Sequence, residues 1–150
     1  MTEWEENALK LENQICFPLY AAARKITGLY SPYLKPLGLT YTQYIVLMVL
    51  WEHQSLTVGE IGKMLRLDNG TLTPLLKKMQ NDGYITRTRS VRDERVVIIN
   101  ITDQGEAMKE KCRDIPFEVG NCVNIGAEKA KLLYEILYEI IDIQERNCDE

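Results

Sequence analysis

The sequence predicts a mainly α-helical chain that carries one small β-hairpin. Three observations predict it. Apolar residues recur at i, i+3, i+4 and i+7 through both ends of the chain, the spacing of amphipathic helices. Thr-x-x-Gln and Thr-x-x-Glu boxes stand before two apolar runs in the middle. Two β-rich stretches flank the charged turn "RSVRDE" at 89–94.

In chain order, a first helix is expected over roughly 6–30, with Ile15, Cys16, Leu19, Tyr20, Ala23 and Ile26 on one buried face. Pro18 lacks an N–H and its ring crowds the Gln14 carbonyl, so this helix kinks or restarts near Cys16. "SPYLKPLG" at 31–38 ends it with two prolines and a glycine. Thr40 with Gln43 caps the helix "TQYIVLMVLWEH", and Thr57 with Glu60 caps the short helix "VGEIGKMLRL". Within "DNGTLTPLLKKMQNDG", Pro74 requires a start near 69–71, and Gly83 suits the C-terminal cap. "YITRT" (84–88) and "RVVIINI" (95–101) are the strands. Thr102 then caps a helix to about 115. A last helix fills roughly 128–146, with Leu133, Ile136, Leu137, Ile140, Ile141 and Gln144 in one stripe that Tyr134 and Tyr138 widen.

Composition narrows the function classes. At 150 residues, 45% apolar and 27% charged, the chain has the make-up of one globular domain. The acidic start "MTEWEENALK" lacks the apolar stretch of a secretory signal, and the longest apolar run, "YIVLMVLW", is far too short to span a membrane. A cytoplasmic protein with reduced thiols is expected. Cysteines 16, 112, 122 and 148 form no CxxC pair and His53 is the single histidine, so neither a metal nor another cofactor is expected. The net charge of −4 hides a split: residues 60–95 hold eight Lys/Arg against five Asp/Glu, and the remainder ten against seventeen. A basic middle between acidic ends fits one surface meeting a polyanion.

Two short capped helices followed by a hairpin with a charged tip make a winged helix-turn-helix. Asn69, Thr71 and Thr73 stand at the N-terminal end of the second helix, where a major-groove reader meets base edges. Lys77 and Lys78 follow a turn later and reach phosphates. Arg89, Arg92 and Arg95 lie at the hairpin, aimed at the flanking backbone or the minor groove, and Asp93 supports the wing. Each residue alone fits a cap or a turn; the order of all of them fits double-stranded DNA. The wide apolar stripes at both ends are expected to interlock with a second copy in a homodimer with two-fold symmetry, matched to a pseudo-palindromic operator. One domain over 1–150 follows, with the winged core at about 40–102 and dimerisation helices at about 6–36 and 103–147.

The stretch "LTVGEIGKMLRLDNGTLTPLLKKMQNDGYITRTRSVRDERVVIINITDQG" resembles the core of the MarR family of dimeric winged-helix regulators, with Asp93, Glu94 and Arg95 at the wing and Ile101, Thr102 and Gly105 after it. "NQICFPLYAAARKI" and "YLKPLGLTYTQYIVLMVLWE" are similar more narrowly to its organic-hydroperoxide-sensing repressors. The resemblance implies that Cys16 is the peroxide-reactive thiol, with Tyr20, Tyr30 and Tyr41 hydrogen-bonding to it. Asn69 stands where the resemblance expects serine, which points to an altered operator.

Spacing adds its own constraint. Tyr20 is one turn from Cys16, whereas Tyr30 lies about 21 Å along a straight helix and meets a thiol only across an antiparallel partner. A helix restart at Pro18 would leave amide N–H groups near the sulfur, which with phenolic donors favours the thiolate that attacks peroxides. Among the other thiols, Cys112 reads as a packing residue and Cys148 as a terminal one. Cys122 follows "DIPFEVGN", where Pro116 and Gly120 are expected to break the helix, and is the candidate resolving thiol. Some of the similar sensors pair the N-terminal cysteine with a distal one across the dimer. The leading function is therefore a DNA-binding repressor released when an organic hydroperoxide oxidises Cys16. The alternative is a MarR-type repressor gated by a small aromatic ligand, with Cys16 structural. A thiol peroxidase, the enzyme reading, lacks a thioredoxin-like strand pattern and a basic residue beside Cys16.

Overall fold

The computed structural model describes residues 7–143. After a 3-10 turn at Leu11–Asn13 come α1 (Cys16–Leu29), α2 (Ser31–Leu34), a second 3-10 turn at Lys35–Leu37, and α3 (Tyr41–His53). The winged core continues with β1 (Ser55–Thr57), α4 (Val58–Leu65), α5 (Asn69–Asn81), β2 (Ile85–Arg89) and β3 (Val97–Ile101). Helices α6 (Asp103–Cys112), α7 (Ile115–Val123) and α8 (Ala127–Ile141) complete it. Mainly α with a small antiparallel sheet is what the sequence predicts.

Helix α3 is the centre. It is apolar nearly all round, the pattern of a helix buried on every side. Tyr44, Val46, Leu47 and Leu50 share one buried cluster with Ile61 of α4, Leu72, Leu76 and Met79 of α5, Ile99 of β3, and Met108 and Cys112 of α6. Both capping boxes form: Thr40 accepts from the Gln43 amide while Gln43 accepts from that of Thr40, and Thr57 and Glu60 do the same for α4.

The sheet has the order β1-β3-β2, antiparallel throughout, with Leu56 opposite Ile99 and Ile85 opposite Ile101. Strand β1 is not expected from the sequence, because three residues are too few to display a period of two.

Three expectations are corrected. The first helix is not continuous over 6–30: among the described residues it restarts at Cys16, as Pro18 predicts, with Gln14 extended ahead of it. Pro18, in the first turn, cannot donate to the Gln14 carbonyl, so helix cannot continue through that point. Its face is also exposed within the single chain: Ile15, Phe17, Leu19 and Tyr20 all lie open to solvent, as do Leu132, Leu133, Tyr134 and Ile136 of α8. Finally, the helix after Thr102 ends at Cys112, and Pro116 opens α7 instead of breaking it, since at the second helical position its missing N–H has no intrahelical partner. Gly120 lies inside α7, and the break falls at Asn124–Gly126. Gln144 of the last stripe and Cys148 lie outside the described residues.

Two glycines hold α5 to the helical base. Gly83, at φ +85°, lets α5 end with Gly83 N–H bonded to Gln80 O and Tyr84 N–H to Met79 O, burying Met79 against Tyr84. The Thr102 hydroxyl donates to Gly83 O at 2.6 Å and accepts from the Gly105 amide at 3.1 Å. At Gly105 the backbone passes so close to the Tyr84 carbonyl that no side chain fits, and its own carbonyl accepts from Trp51 Nε1 at 2.9 Å. Gly105→Ala is therefore expected to destabilise by about 1–3 kcal/mol, a fall in Tm of roughly 3–10 °C by thermal unfolding. A variant melting with the parent would show that this approach is relaxed at no cost.

Candidate functional site

One face of the molecule gathers the polar residues of α5 and the hairpin. Asp68 caps α5 by accepting from the Thr71 amide at 2.7 Å, and this bond holds its carboxyl below the usual carboxylate range. The cap fixes Asn69 and Thr71 as exposed residues of the first turn, with Thr73 half-buried behind them. Pro74 sits inside α5, but Leu72, Leu76 and Met79 anchor the helix on either side of it. Lys77 and Lys78 are exposed a turn later. Lys78 is paired with Asp82 at 3.0 Å, whereas Lys77 has no ion pair among the described residues.

The hairpin tip is built by short-range bonds. Ser90 N–H bonds to Val96 O, and the Arg92 amide to Ser90 Oγ. Asp93 Oδ1 accepts from both the backbone amide and Nε of Arg95, at 3.0 and 3.2 Å, so Asp93 fixes that guanidinium's direction. Arg89 donates to Glu94 O at 3.3 Å, and Arg92 projects from the tip beside the fully exposed Val91. One further residue faces this surface. Arg87 lies on β2 and, with Asn69, Thr73 and Arg95, lines a groove between α5 and the hairpin root. Sequence reasoning missed it, although a charge between Ile85 and Arg89 in the inward register of a strand was a visible irregularity.

The thiol lies at the other end of the molecule's logic. Cys16 is the first residue of α1 and is exposed, and that helix start carries no side-chain cap, so its first amides have no intrahelical or side-chain acceptor. Tyr20, one turn on, lies under the Arg24 guanidinium, 5.5 Å from its ring centroid. Tyr30 caps the far end of the same helix, which at 14 residues is about 21 Å long. There its ring meets Tyr41 at 4.9 Å and Tyr44 at 5.7 Å, and Tyr44 continues to Trp51 at 6.2 Å. Tyr30 and Tyr41 are thus brought together, and Tyr20 is not with them. Tyr44, one turn after Tyr41 on α3, joins the cluster unforeseen. Burial, with help from Tyr30, pushes the Tyr41 phenol up, and burial takes Tyr44 up to about 12, so both remain O–H donors.

Cys112 is buried beside Tyr44, and burial raises its thiol. Cys122 is exposed in the last turn of α7. A cavity of about 630 Å³ opens between α3 and α6–α7, floored by Tyr44, Met48, Trp51, Cys112 and Pro116 and rimmed by Glu52, Glu106, Lys109, Glu110 and Arg113. Among the described residues, no group of His, Cys, Asp and Glu is arranged to hold a metal ion, and no helix is long and apolar enough to cross a membrane.

Comparison with known proteins identifies this arrangement. The family model for the transcriptional regulators SarA/Rot matches residues 28–112. The chain is 48% identical to the organic hydroperoxide resistance transcriptional regulator of Bacillus subtilis (strain 168) over 134 residues, 89% of this chain and 91% of that one. Among solved structures it is similar to reduced AbfR bound to DNA, with a TM-score of 0.75 and 33% identity over 93% of this chain and 97% of that chain. It is also similar to disulfide-formed AbfR, with a TM-score of 0.63 and 32% identity over 95% of this chain and 100% of that one; AbfR is a protein of Staphylococcus epidermidis. The chain belongs to the SarA/Rot family of transcriptional regulators, in the MarR-type winged-helix group and the branch of the organic hydroperoxide regulators.

Proposed function

We propose that the chain is a homodimeric transcriptional repressor that binds a pseudo-palindromic operator through α5 and the wing and leaves it when an organic hydroperoxide oxidises Cys16. One domain over 1–150 does this in the cytoplasm, with the winged core at about 40–102 and the end helices as dimerisation elements. The observation that carries the reading is the length of α1. It separates Cys16 from the Tyr30–Tyr41 pair of its own chain by about 21 Å, so two chains with antiparallel first helices are needed to put thiol and phenols in contact. The exposed apolar faces of α1 and α8 supply the area such a pairing buries. The relatives' names agree: one controls organic hydroperoxide resistance, and AbfR is known bound to DNA and in a disulfide form.

The chemistry is a thiol oxidation. The Cys16 thiolate attacks the distal peroxide oxygen, the O–O bond breaks, and with one proton the products are a sulfenic acid and the alcohol. Attack by a second thiol, with Cys122 of the other subunit as the candidate, forms a disulfide and releases water. Tyr41 and Tyr44 belong to α3, and α3 packs on α4 and α5, so rearranging the tyrosines displaces the reading helix. The protein is consumed in proportion to oxidant and does not turn over as an enzyme. The cavity beside Tyr44 gives the ligand-gated alternative a place, with an aromatic floor and a mixed-charge rim.

Four outcomes are expected. Cys16→Ser binds the operator like the parent and is no longer released by an alkyl hydroperoxide, whereas the parent loses roughly five- to 150-fold in affinity; a Cys16→Ser protein that is still released moves the sensor to another thiol or to the cavity. Non-reducing gels after one equivalent of hydroperoxide show a covalent dimer lost in Cys16→Ser and in Cys122→Ser. Its loss in Cys112→Ser alone would transfer the resolving role. Lys77→Ala and Arg95→Ala each weaken operator binding and reduce the log–log salt slope by about 0.9, while Asn69 and Thr71 substitutions change base preference; unchanged slopes remove the helix-and-wing model.

A further inference from the structure

Arg87 occupies a position where the sheet calls for an apolar residue. Ile85, Arg87 and Arg89 alternate onto one face of β2; Ile85 is buried there, and Arg87 stands opposite the fully buried Ile99. Its Nε is sealed from solvent with no hydrogen-bond acceptor. No carboxylate among the described residues pairs with its guanidinium. A buried guanidinium N–H without an acceptor weakens a fold. No contact within the described residues accounts for it.

The groove it borders does. About 410 Å³ of open space separates the start of α5 from the root of the wing, walled by Thr57, Asn69, Thr73, Arg87 and Arg95, and no acidic side chain lines it. Asn69 and Thr73 belong to the helix proposed for the major groove, and Arg95 to the wing proposed for the flanking backbone or the adjacent minor groove. Between adjacent grooves of a duplex runs a single sugar–phosphate strand. We infer that this groove seats one backbone phosphodiester of that strand, with Arg87 as its principal cationic contact. The inference rests on α5 and the wing being the DNA-binding face. A planar fork suits the site, because two parallel N–H donors grip two phosphate oxygens, which an ammonium does not. The seat carries no base identity. It sets how α5 and the wing straddle the strand, and so the register in which Asn69 and Thr71 meet bases.

The test uses the full-length reduced protein and a duplex selected in vitro for binding by the parent. Arg87→Leu keeps or raises Tm, since an apolar side chain replaces an unpaired charge, while affinity falls about ten- to 100-fold and the salt slope flattens by about 0.9. A purely structural role for Arg87 would instead lower Tm and affinity together. Single methylphosphonate linkages are then placed along the duplex. Neutralising one position per half-site weakens the parent about ten-fold and leaves Arg87→Leu indifferent. Arg87→Lys keeps the salt slope but recovers only part of the affinity, and it serves in the scan if the leucine variant does not fold. Parental affinity in Arg87→Leu, or equal sensitivity of both proteins at every linkage, overturns the phosphate seat. A parent chain that selects no duplex overturns the DNA-binding reading itself.

Discussion

Burial of Tyr44, Val46, Leu47 and Leu50 along α3 is the constraint on which the other elements depend. A helix with one polar face can be tilted or lifted at little cost, whereas one that is apolar nearly all round must be wrapped on most sides. Here the wrapping comes from α4, α5, α6, β1 and β3. The consequence is a rigid link between two surfaces of different chemistry. The N-terminal end of α3 carries Tyr41 and Tyr44, and its flank holds the helix pair that presents Asn69 and Thr71. Interiors packed at crystal-like density do not absorb a displaced side chain locally. A change at the tyrosines is therefore passed to α5 as a shift of position, without any dedicated relay of hydrogen bonds.

The end helices follow an opposite rule. Within one chain α1 buries none of its residues and α8 buries none of its own, although both carry continuous apolar faces. Apolar surface on this scale, on two helices at once, is not left to water in a lone chain. In the proposed dimer a second copy would cover both faces with a single symmetry operation and set Cys16 of one chain toward the phenols of the other. Dimerisation and thiol sensing would then be the same contact.

Much of this was legible because it is local. Thr40 with Gln43 and Thr57 with Glu60 satisfy each other's backbone within four residues, so the boxes could be read without knowing the fold. Gly83 was equally readable, because a left-handed residue after an amphipathic run ends a helix whatever surrounds it. The hairpin followed from alternation around a charged turn. The failures share a cause, which is that tertiary context outweighed local signal. Strand β1 exists because β3 offers an edge to three residues with no period of their own. In the sequence Pro116 reads as a breaker, and only the turn at Arg113–Asp114 reveals that it opens a helix. Tyr44 looked like one apolar residue among many on α3, and its contact with Tyr30 closes over a loop that spacing does not report. Within the site, residue types at helix starts and turns were visible in the sequence. Contacts between distant segments were not.

The positions at which this chain breaks its own folding rules fall on the surfaces proposed for DNA binding and thiol sensing. A proline stands inside α5, a thiol begins an uncapped helix, and an arginine with an unsatisfied nitrogen occupies an inward position in a strand. Stability does not explain the proline, which removes an amide donor, or the arginine, which strands a buried Nε. They persist in a core otherwise consistent in pattern, capping and packing, so the sites of local inconsistency are the natural places to seek selection for something other than folding. The proline and the arginine lie on the side that carries α5 and the hairpin, and the thiol lies on the exposed apolar helix α1. Helix α3 stands between these two surfaces, and it is the element through which each can influence the other.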